Sequence, residues 1–381
     1  MKVAIVTESF LPQVNGVTNS VLRILESLGA SGHEALVIVP ESSGTPKEYA
    51  GHKVKTIPAL PIQNVIPIGM PIGLPNRRLE HLIDGFSPDV IHLASPMLLG
   101  MQAAKIAKKL GIPTLSVYQT DMAGFASHYG FEIAHSSLRK FVGKIHSQTD
   151  RTLAPSRSAC YELKSQGVPE VYLWQRGVNH ELFNPEARSE SLRKYWDPTG
   201  KRTIIGYVGR LAKEKRISDL KYLDRDLSNL LIITGDGPAN EKLKKELPNA
   251  IFMGHKNGKD LAEIFASLDL FIHPGPNETF CQAVQEALAS GIPSIVPRTG
   301  GPADLVTHGR TGYVIDISDA SQLNQTVNLH HDRSDRKQMR IAARDSVSMR
   351  TWNRINNELK AHYQDVINQK KSANLTEIGV A

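Results

Sequence analysis

Short, continuous apolar runs alternate with longer amphipathic stretches along almost the whole chain. Apolar runs of this kind are typical of strands buried on both faces, and their alternation with helices favours parallel sheets covered by helices. The pattern therefore predicts an α/β fold. In the first half, the predicted strands begin near Val3, Leu36, Val54, Val90, Thr114, Thr152 and Val171, and the predicted helices cover 19–30, 97–110 and 158–166.

The second half restarts this pattern after a charged connection, residues 180–202, that contains Pro185 and Pro198. Its predicted strands cover 203–208, 230–234, 251–253, 270–273 and 294–296, and its predicted helices cover 239–247, 260–267 and 279–290. The repeat predicts two Rossmann-like, doubly wound domains, residues 1–180 and 181–350. A terminal helix over 351–369 is expected to cross back to the first domain. In open parallel sheets ligands bind at the carboxyl ends of the strands, so we expect these ends to face a shared cleft.

Composition limits the function without assigning it. The 381 residues and 40% hydrophobic content suit two globular domains. The net charge of +7 is spread along the chain, which argues against a nucleic-acid-binding domain and fits anionic substrates or an anionic membrane face. Cys160 and Cys281 have no metal-ligand spacing and indicate a reducing compartment. The first residues predict a strand instead of a signal peptide, so we expect a cytoplasmic protein.

Two further segments bear on membrane contact. Residues 57–75 are apolar but contain five prolines, which excludes a lone membrane helix. This loop either packs on its own domain or forms an apolar lip near a lipid acceptor. Residues 136–146 predict a basic amphipathic helix with Arg139, Lys140 and Lys144 on it. Such a face either rests on anionic lipid or is solvated.

Glu278 and Glu286 are separated by seven residues within and just before the predicted helix 279–290. Eight residues of helix correspond to a rise of about 12 Å, which is near the reach from the sugar ring to the ribose of a nucleotide-sugar. A helix N-terminus offers free amides to an anion such as a diphosphate. The amides expected to lie between the two glutamates are those of Thr279, Phe280 and Cys281. Two glutamates on a surface helix are often only solvated charges, so a functional interpretation of this pair depends on the other candidate residues.

Other candidate residues follow predicted strands. Gly209, Arg210 and Lys215 come after strand 203–208, where the two cations can neutralise a leaving diphosphate. Gly235 begins a Gly-Asp-Gly-Pro turn that would let the backbone approach a ligand, although the dinucleotide fingerprint is missing. His255 and Lys256 end the next strand and are candidates for a base pocket. Each of these segments taken alone is equally compatible with a simple surface turn.

The first half adds weaker candidates. Gly16 precedes the first helix and can admit a phosphate. Gln119 and Asp121 follow an apolar strand, where they either hydrogen-bond sugar hydroxyls or form a turn or helix cap. No phosphate-binding loop of the P-loop type and no nucleophile elbow is present in the sequence, and His330 and His331 lack further metal ligands at a useful spacing.

Together these residues resemble glycosyltransferase family 4, the retaining enzymes of the two-domain GT-B type. The resemblance covers nearly the whole chain, and its most specific parts are the Glu278–Glu286 pair and Gly209-Arg210…Lys215. In that family the first glutamate contacts the donor sugar and the second contacts the ribose. The family's arginine and lysine hold the diphosphate, and the glycine-bearing loop, here around Gly16, closes over it.

More narrowly, the chain is similar to bacterial mannosyltransferases that build glycolipids and lipomannan in the cell envelope. The stretch from Gln119 to Phe125 carries this likeness. It implies GDP-mannose as donor, a glycolipid acceptor such as glucuronosyl diacylglycerol, and peripheral contact with the inner face of the plasma membrane. Many members have histidine where Gln119 stands, so this chain lacks that titrating group.

The resemblance implies transfer with retention and without a metal or other cofactor. In the expected step, the acceptor hydroxyl attacks from the face that the diphosphate leaves, because no close pair of carboxylates for a double displacement is evident. Candidate catalytic residues are Arg210, Lys215, Glu278, Asp121 and Gln119. Open alternatives are a UDP-sugar donor, a nucleotide-sugar epimerase of similar fold, and a non-catalytic binding module.

Overall fold

The computed structural model describes residues 1–60, 72–74, 76–119 and 132–379. The chain divides into two compact units, and the predicted α/β architecture with parallel sheets is confirmed. Unit 2 runs from Gly177 to Thr351, and unit 1 contains the residues before it together with the C-terminal helix. Asp121 and most of the apolar segment 57–75 lie outside the described residues.

The main sheet of unit 1 has eight strands in the order β10-β9-β8-β7-β1-β2-β4-β3. All neighbours pair in parallel except β3 with β4. β5 and β6 form a separate antiparallel pair. The strands of unit 1 are β1 Lys2–Thr7, β2 Glu34–Pro40, β3 Glu48–Tyr49, β4 His52–Ile57, β5 Ala59–Leu60, β6 Ile72–Gly73, β7 Val90–Ser95, β8 Thr114–Val117, β9 Arg151–Ala154 and β10 Val171–Leu173.

Helices cover both faces of this sheet. α1 and the C-terminal helix pack on one face, while α2 and α3 pack on the other. The C-terminal helix is fixed to unit 1 by Trp174, whose indole N–H donates to the Ile355 carbonyl at 2.9 Å. The helices of unit 1 are α1 Gly16–Ala30, α2 Arg77–Phe86, α3 Leu98–Leu110, α4 Glu132–His146, α5 Arg157–Ser165 and the C-terminal α13 Trp352–Gly379.

Unit 2 has a six-stranded parallel sheet in the order β13-β12-β11-β14-β15-β16. Its strands are β11 Thr203–Val208, β12 Asn229–Thr234, β13 Ile251–Gly254, β14 Leu270–Ile272, β15 Ser294–Pro297 and β16 Gly312–Ile315. Its α-helices are α6 Glu190–Trp196, α7 Lys221–Arg225, α8 Asn240–Glu246, α9 Gly258–Ala266, α10 Gln282–Ala289, α11 Ala320–Asp332 and α12 Arg336–Val347. Four 3₁₀ turns join them, at Pro185–Ala187, Lys213–Lys215, Ile217–Leu220 and Ala303–Leu305.

The predicted strands are confirmed to within one or two residues, because continuous apolar runs mark a strand buried on both faces. Several elements were not predicted. The strands β3, β5, β6 and β16 have only two to four residues each, and the helices α2, α7, α11 and α12 mix apolar residues with many polar or charged ones. The charged connection 180–202 contains α6, and its Trp196 is fully buried in the unit 2 core.

Candidate active site

The site in unit 2 lies where the strand order of the sheet reverses. From β11 the chain first adds β12 and β13 on one side, and then returns to add β14, β15 and β16 on the other. Loops that leave β11 and β14 therefore diverge at their carboxyl ends and form a crevice, which is the usual ligand position in doubly wound sheets. Gly209, Arg210 and Lys215 follow β11, and Glu278 follows β14.

Lys215 and Glu278 form an ion pair in this crevice. Their side chains are only 21% and 23% exposed. Burial alone would raise the pKa of Glu278, but attraction to the Lys215 ammonium outweighs it, so this pKa lies below its usual value. Burial opposes the Lys215 charge as well, yet the Glu278 carboxylate raises the lysine pKa. The pair is therefore charged at neutral pH.

His273 lies beside this pair at the carboxyl end of β14. Its Nε2 is 3.6 Å from a Glu278 carboxylate oxygen, and its ring stacks on Tyr207 with centroids 6.2 Å apart. Burial lowers the pKa of His273 to about 4, so the ring is neutral at physiological pH. A neutral imidazole adds a polar wall to the crevice without adding charge.

The predicted helix 279–290 is shorter than expected. α10 begins at Gln282, and Cys281 is its N-cap residue with a left-handed backbone at φ 94°. The first-turn amides of α10 consequently belong to Gln282 and the residues after it. The prediction that Thr279, Phe280 and Cys281 supply free helix-terminal amides is wrong in this respect, and the rise of one continuous helix does not describe the separation of Glu278 from Glu286.

A glycine pair explains why the segment before α10 leaves the helical path. Gly300 and Gly301 follow β15 and pack directly on this segment. The Gly301 amide donates to the Glu278 carbonyl at 2.7 Å. A Cβ at Gly301 would lie 2.4 Å from the Thr279 carbonyl oxygen, so only glycine permits this approach. The loop after β15 thus holds the backbone of Glu278 in place.

Glu286 lies on α10, in a half-buried position. Burial raises the pKa of its carboxyl to about 8, against the lowering effect of a hydrogen bond from Gln282. The carboxyl is thus largely protonated at neutral pH in the free protein. A group in this state can donate a hydrogen bond to a hydroxyl as well as accept one.

Arg210 is exposed at the edge of the crevice. Within the described parts of the chain its guanidinium has no hydrogen-bond or ion-pair partner; its main-chain carbonyl accepts the Tyr207 hydroxyl at 3.0 Å. The site thus combines one free cation at Arg210 with one paired cation at Lys215. An arriving anion that binds both cations must share the Lys215 ammonium with Glu278 or displace this carboxylate from it.

The turn at Gly235 packs against the turn at Gly209. A Cβ on Gly235, whose φ is 132°, would lie 1.9 Å from the Gly209 carbonyl oxygen. This approach accounts for the glycine through loop packing, and close contact of Gly235 with a ligand stays a prediction. His255 and Lys256 follow β13 at the same end of the sheet, and their role in a base pocket is likewise a prediction.

The candidates of unit 1 are linked by Arg176, which sequence reasoning missed. Its guanidinium donates to the Gly16 carbonyl at 2.8 Å and to the side-chain oxygen of Gln119. The Gln119 amide in turn donates to the Ala94 carbonyl. Gly16 is the first residue of α1 instead of preceding it, because the Asn15 side chain caps the helix there. Gln119 is therefore held by unit 1 itself, and its contact with a sugar stays a prediction.

Glu8 lies at the corresponding strand reversal in unit 1, between β1 and β7. Its carboxylate accepts the Leu99 amide at 2.7 Å, at the start of α3, which has no side-chain cap of its own. Burial raises the pKa of Glu8 to about 7, although several main-chain amides lower it. The carboxylate acts as the cap of α3 from another element, a role that no local sequence pattern indicates.

Two family models match the chain. The model described as Glycosyltransferase Family 4 matches residues 14–182, and the model described as Glycosyl transferases group 1 matches residues 189–346. A GDP-mannose-dependent alpha-mannosyltransferase of Corynebacterium glutamicum is 44% identical over 100% of this chain and 92% of that protein. The chain belongs to glycosyltransferase family 4.

Further relatives of this family-4 chain are named for mannose or for another sugar. A GDP-mannose-dependent alpha-mannosyltransferase of Mycolicibacterium smegmatis is 45% identical over 97% of this chain and 99% of that protein. A sulfoquinovosyl transferase of Arabidopsis thaliana is 29% identical over 89% of this chain and 68% of that protein. The predicted family and enzyme class are confirmed.

Solved structures confirm the GT-B fold of this glycosyltransferase. Sucrose-phosphate synthase from Thermosynechococcus elongatus superposes with a TM-score of 0.78 at 17% identity, covering 97% of this chain and 99% of that one. HepE from Anabaena, in complex with UDP-glucose, superposes with a TM-score of 0.71 at 16% identity, covering 96% and 100%. At these identities the likeness concerns the fold alone.

The described residues of this glycosyltransferase lack two features. Across the residues that the structure places, no helix is both long and apolar enough to cross a bilayer. Within the same residues, no group of three or more His, Cys, Asp and Glu side chains is placed to hold a metal ion.

The basic helix α4 presents Lys140 and Lys144 as exposed side chains, while Arg139 lies 3.6 Å from Glu162.

Proposed function

We propose that this glycosyltransferase moves an α-mannosyl residue from GDP-mannose to a membrane glycolipid, with retention of configuration and without a metal or other cofactor. The observation that carries the proposal is the charged Lys215–Glu278 pair in the crevice where the unit 2 sheet reverses. Support for the donor comes from the Corynebacterium and Mycolicibacterium relatives, which are named GDP-mannose-dependent and match almost end to end.

Each candidate in unit 2 has a place in donor binding. Arg210 and Lys215 bind the diphosphate, because one guanidinium is free and one ammonium can exchange its carboxylate for a phosphate. Glu278, released from Lys215, accepts hydroxyl hydrogen bonds from the sugar. Glu286 contacts the ribose hydroxyls, with Gly209, Gly235, His255, Lys256 and the segment 279–281 completing the nucleotide site.

The transfer step balances without another reactant. The acceptor hydroxyl oxygen forms a bond to the anomeric carbon while the bond from that carbon to the diphosphate oxygen breaks. The acceptor proton passes to an oxygen of the departing diphosphate. Arg210 and Lys215 stabilise the charge that develops on this leaving group. Since attack and departure use the same face, the anomeric configuration is retained. Gln119 and Asp121 are the proposed sugar contacts from unit 1.

The support for the acceptor is weaker than the support for the donor. One relative, from Acholeplasma laidlawii, is named alpha-monoglucosyldiacylglycerol synthase and is 27% identical over 78% of this chain. A glucuronosyl diacylglycerol or related lipoglycan precursor is the acceptor that we propose. Exposed lysines on α4 suit peripheral contact with the anionic inner face of the plasma membrane.

The decisive experiment supplies labelled GDP-mannose with glucuronosyl diacylglycerol in mixed micelles, and identifies the lipid product and its anomeric configuration by mass spectrometry and NMR. A mannosylated lipid with α linkage supports the proposal. Activity that disappears with EDTA and returns with Mn²⁺ contradicts metal independence. Conversion of donor without acceptor identifies an epimerase instead.

A glucosyl or sulfoquinovosyl donor is the second candidate, because relatives named for both sugars match most of this chain. Thermal-shift measurements with GDP, UDP, GDP-mannose and the corresponding UDP-sugars separate the two candidates. A ligand that binds only the folded protein raises its melting temperature by mass action. A larger shift with UDP than with GDP would contradict the GDP-mannose assignment.

A further inference from the structure

A basic cavity of about 430 Å³ opens in unit 2 at the amino ends of the strands, opposite the strand ends that carry the candidate active site. Thr203, the first residue of β11, and Asp269, which precedes β14, lie in its wall. The active-site loops leave the opposite ends of these same strands. A six-residue strand spans about 17 Å between its first and last Cα atoms. The cavity is therefore separate from the donor crevice.

Six cationic side chains line this cavity, against a single acidic one, Asp269. They come from the segment before α6, from α6, from the turn before β11 and from α12, so the tertiary fold brings them together. The six are Arg188, Arg193, Lys201, Arg202, Arg336 and Arg340.

Acidic partners neutralise only part of this charge. Arg193 pairs with Asp269 at 3.1 Å, Arg202 pairs with Asp197 at 3.1 Å, and Arg188 pairs with Glu190 at 2.6 Å. Asp335, the residue before α12, accepts two hydrogen bonds from Arg333, of 2.6 and 2.7 Å. It therefore does not compensate the arginines on the cavity wall.

Three cations of the cavity lack a carboxylate. Among the residues that the structure describes, no acidic side chain lies within ion-pair distance of Lys201, Arg336 or Arg340. Arg340 donates only to the Leu268 carbonyl, at 3.1 Å. Burial, together with the neighbouring Arg188 and Arg193, outweighs the attraction of the Asp269 carboxylate and lowers the pKa of Arg340 to about 10. Like charges gathered in a half-buried cavity repel one another, and a bound anion would remove that repulsion.

We propose that this cavity is a second anion-binding site, which takes a phosphoryl group carrying at least two negative charges. Guanidinium groups bind such groups through paired N–H donors, and the cavity volume lies in the range of ordinary ligand sites. The phosphoryl group belongs either to a soluble phosphorylated compound or to the headgroup of a phospholipid that carries a phosphate monoester. These sources offer the cavity the same chemistry.

The test uses the double variant Lys201→Gln/Arg336→Gln. Both side chains are exposed and lack acidic partners in the described structure, so their replacement should leave folding intact. Lys221→Gln/Lys245→Gln is the control, because it removes the same charge from exposed positions of unit 2 outside the cavity. All proteins carry Arg210→Ala as a common background, which weakens phosphate binding in the donor crevice equally.

Isothermal titration with tripolyphosphate at physiological salt is the first measurement. Loss of two charge-assisted contacts should weaken the affinity of the double variant about tenfold or more, while the control keeps the parent value. An affinity of the double variant within about twofold of its parent, or an equal loss in the control, would overturn the proposal.

Cosedimentation with vesicles of equal parts phosphatidylcholine and phosphatidic acid, whose phosphate monoester can carry a second negative charge, then distinguishes the source. Loss of vesicle binding together with loss of tripolyphosphate binding assigns the site to a lipid headgroup. Loss of tripolyphosphate binding alone assigns it to a soluble phosphorylated compound. Loss of vesicle binding alone contradicts the cavity site, since it reports only general surface charge.

Discussion

Lys215 and Glu278, 63 residues apart in the chain, form an ion pair at the reversal point of the unit 2 sheet. The pair places a cation for a diphosphate next to a carboxylate for a sugar. In the free protein each group holds the other in its charged form. Donor binding then exchanges one set of charged contacts for another, without exposing an unpaired charge in a half-buried crevice.

Breaking this pair should destabilise the folded protein in a coupled manner. Lys215→Met and Glu278→Gln each leave one buried group without its partner, so the double variant should lose less stability than the two single losses combined. Contacting residues typically show coupling energies of about 0.5–3 kcal/mol. Urea unfolding of the four proteins at pH 7 measures this quantity. Additive losses would contradict a stabilising pair.

The coupling should also depend on pH. The folded-state pKa of Glu278 is below the usual glutamate value of 4.5, so its contribution is complete above that value. The contribution is lost as the pH falls through the lower folded-state pKa. Unfolding measured from pH 7 down to pH 3 should therefore show the coupling energy shrink only at the acid end.

Arg210→Ala should lower kcat without changing stability. Removing one donor that stabilises a developing negative charge typically costs about 10²–10³ in rate. The exposed Arg210 side chain has no partner in the described residues, so unfolding by urea should be unaffected. Arg310→Ala, an equally exposed arginine in the turn before β16, is the control for loss of a positive charge. Unchanged turnover in Arg210→Ala would remove Arg210 from the mechanism.

Glu286→Gln should stabilise the free protein increasingly as the pH rises. The folded-state pKa of Glu286, about 8, lies above the usual glutamate value of 4.5, so folding is penalised as the pH rises from the lower value through the higher one. The variant removes this penalty. The difference in free energy of unfolding between variant and wild type should be smallest near pH 4.5 and largest above pH 8.

Urea titrations at several pH values test this expectation, with Glu263→Gln on α9 as the control for loss of another half-buried carboxylate. The same Glu286→Gln variant should bind the nucleotide-sugar more weakly if the carboxyl contacts the ribose. A pH-independent difference in stability would show that Glu286 titrates normally.

Gly16 either only begins α1 or also lets the main chain approach the diphosphate, and Gly16→Ala distinguishes these two roles. A Cβ at Gly16 meets no atom within 4 Å, and alanine favours the first turn of α1. The folded protein should therefore be as stable as the wild type or more stable by up to about 1 kcal/mol. If the main chain at Gly16 approaches the diphosphate, KM for the donor should rise. An unchanged KM would assign Gly16 to the helix start alone.

Tyr363→Phe tests the attachment of the C-terminal helix to unit 1. The Tyr363 hydroxyl hydrogen-bonds His92 Nδ1 at 2.7 Å, and both residues are fully buried. Removal of the hydroxyl leaves the imidazole nitrogen without this partner and should cost about 1–3 kcal/mol of stability. Tyr195→Phe, at a side chain that is 76% exposed, should change the free energy of unfolding by less than about 0.5 kcal/mol.

The strands and the strand-end candidates were predictable because their signals are local. Continuous apolar runs mark β11 and β14, and the polar residues that follow them must emerge at the carboxyl edge of a parallel sheet. That logic located Arg210 and Lys215, whereas Glu278 was identified by its spacing from Glu286 at a predicted helix start. It could not locate the start of α10, because the segment 276–280 before it packs on Gly300 and Gly301 of the next strand-end loop.

Residues that act through distant partners carry no such local signal. Arg176 joins Gly16 to Gln119, and Glu8 caps a helix that begins about ninety positions later in the chain. Each contact depends on which strand ends the sheet order brings together. The cationic cavity has the same origin, since its arginines belong to separate helices and turns.

The sequence by itself determined the alternation of buried strands with amphipathic helices and the position of the polar residues at their ends, because both follow from contacts between near neighbours. Only the tertiary structure decided which charges meet, how deeply each is buried and so which state it occupies. Lys215 and Glu278 are charged because they meet, whereas Glu286 is largely protonated because burial raises its pKa and no cation of the described residues offsets that burial. Electrostatic free energy depends on distance and solvent exposure, and for residues far apart in the chain the tertiary fold sets both quantities.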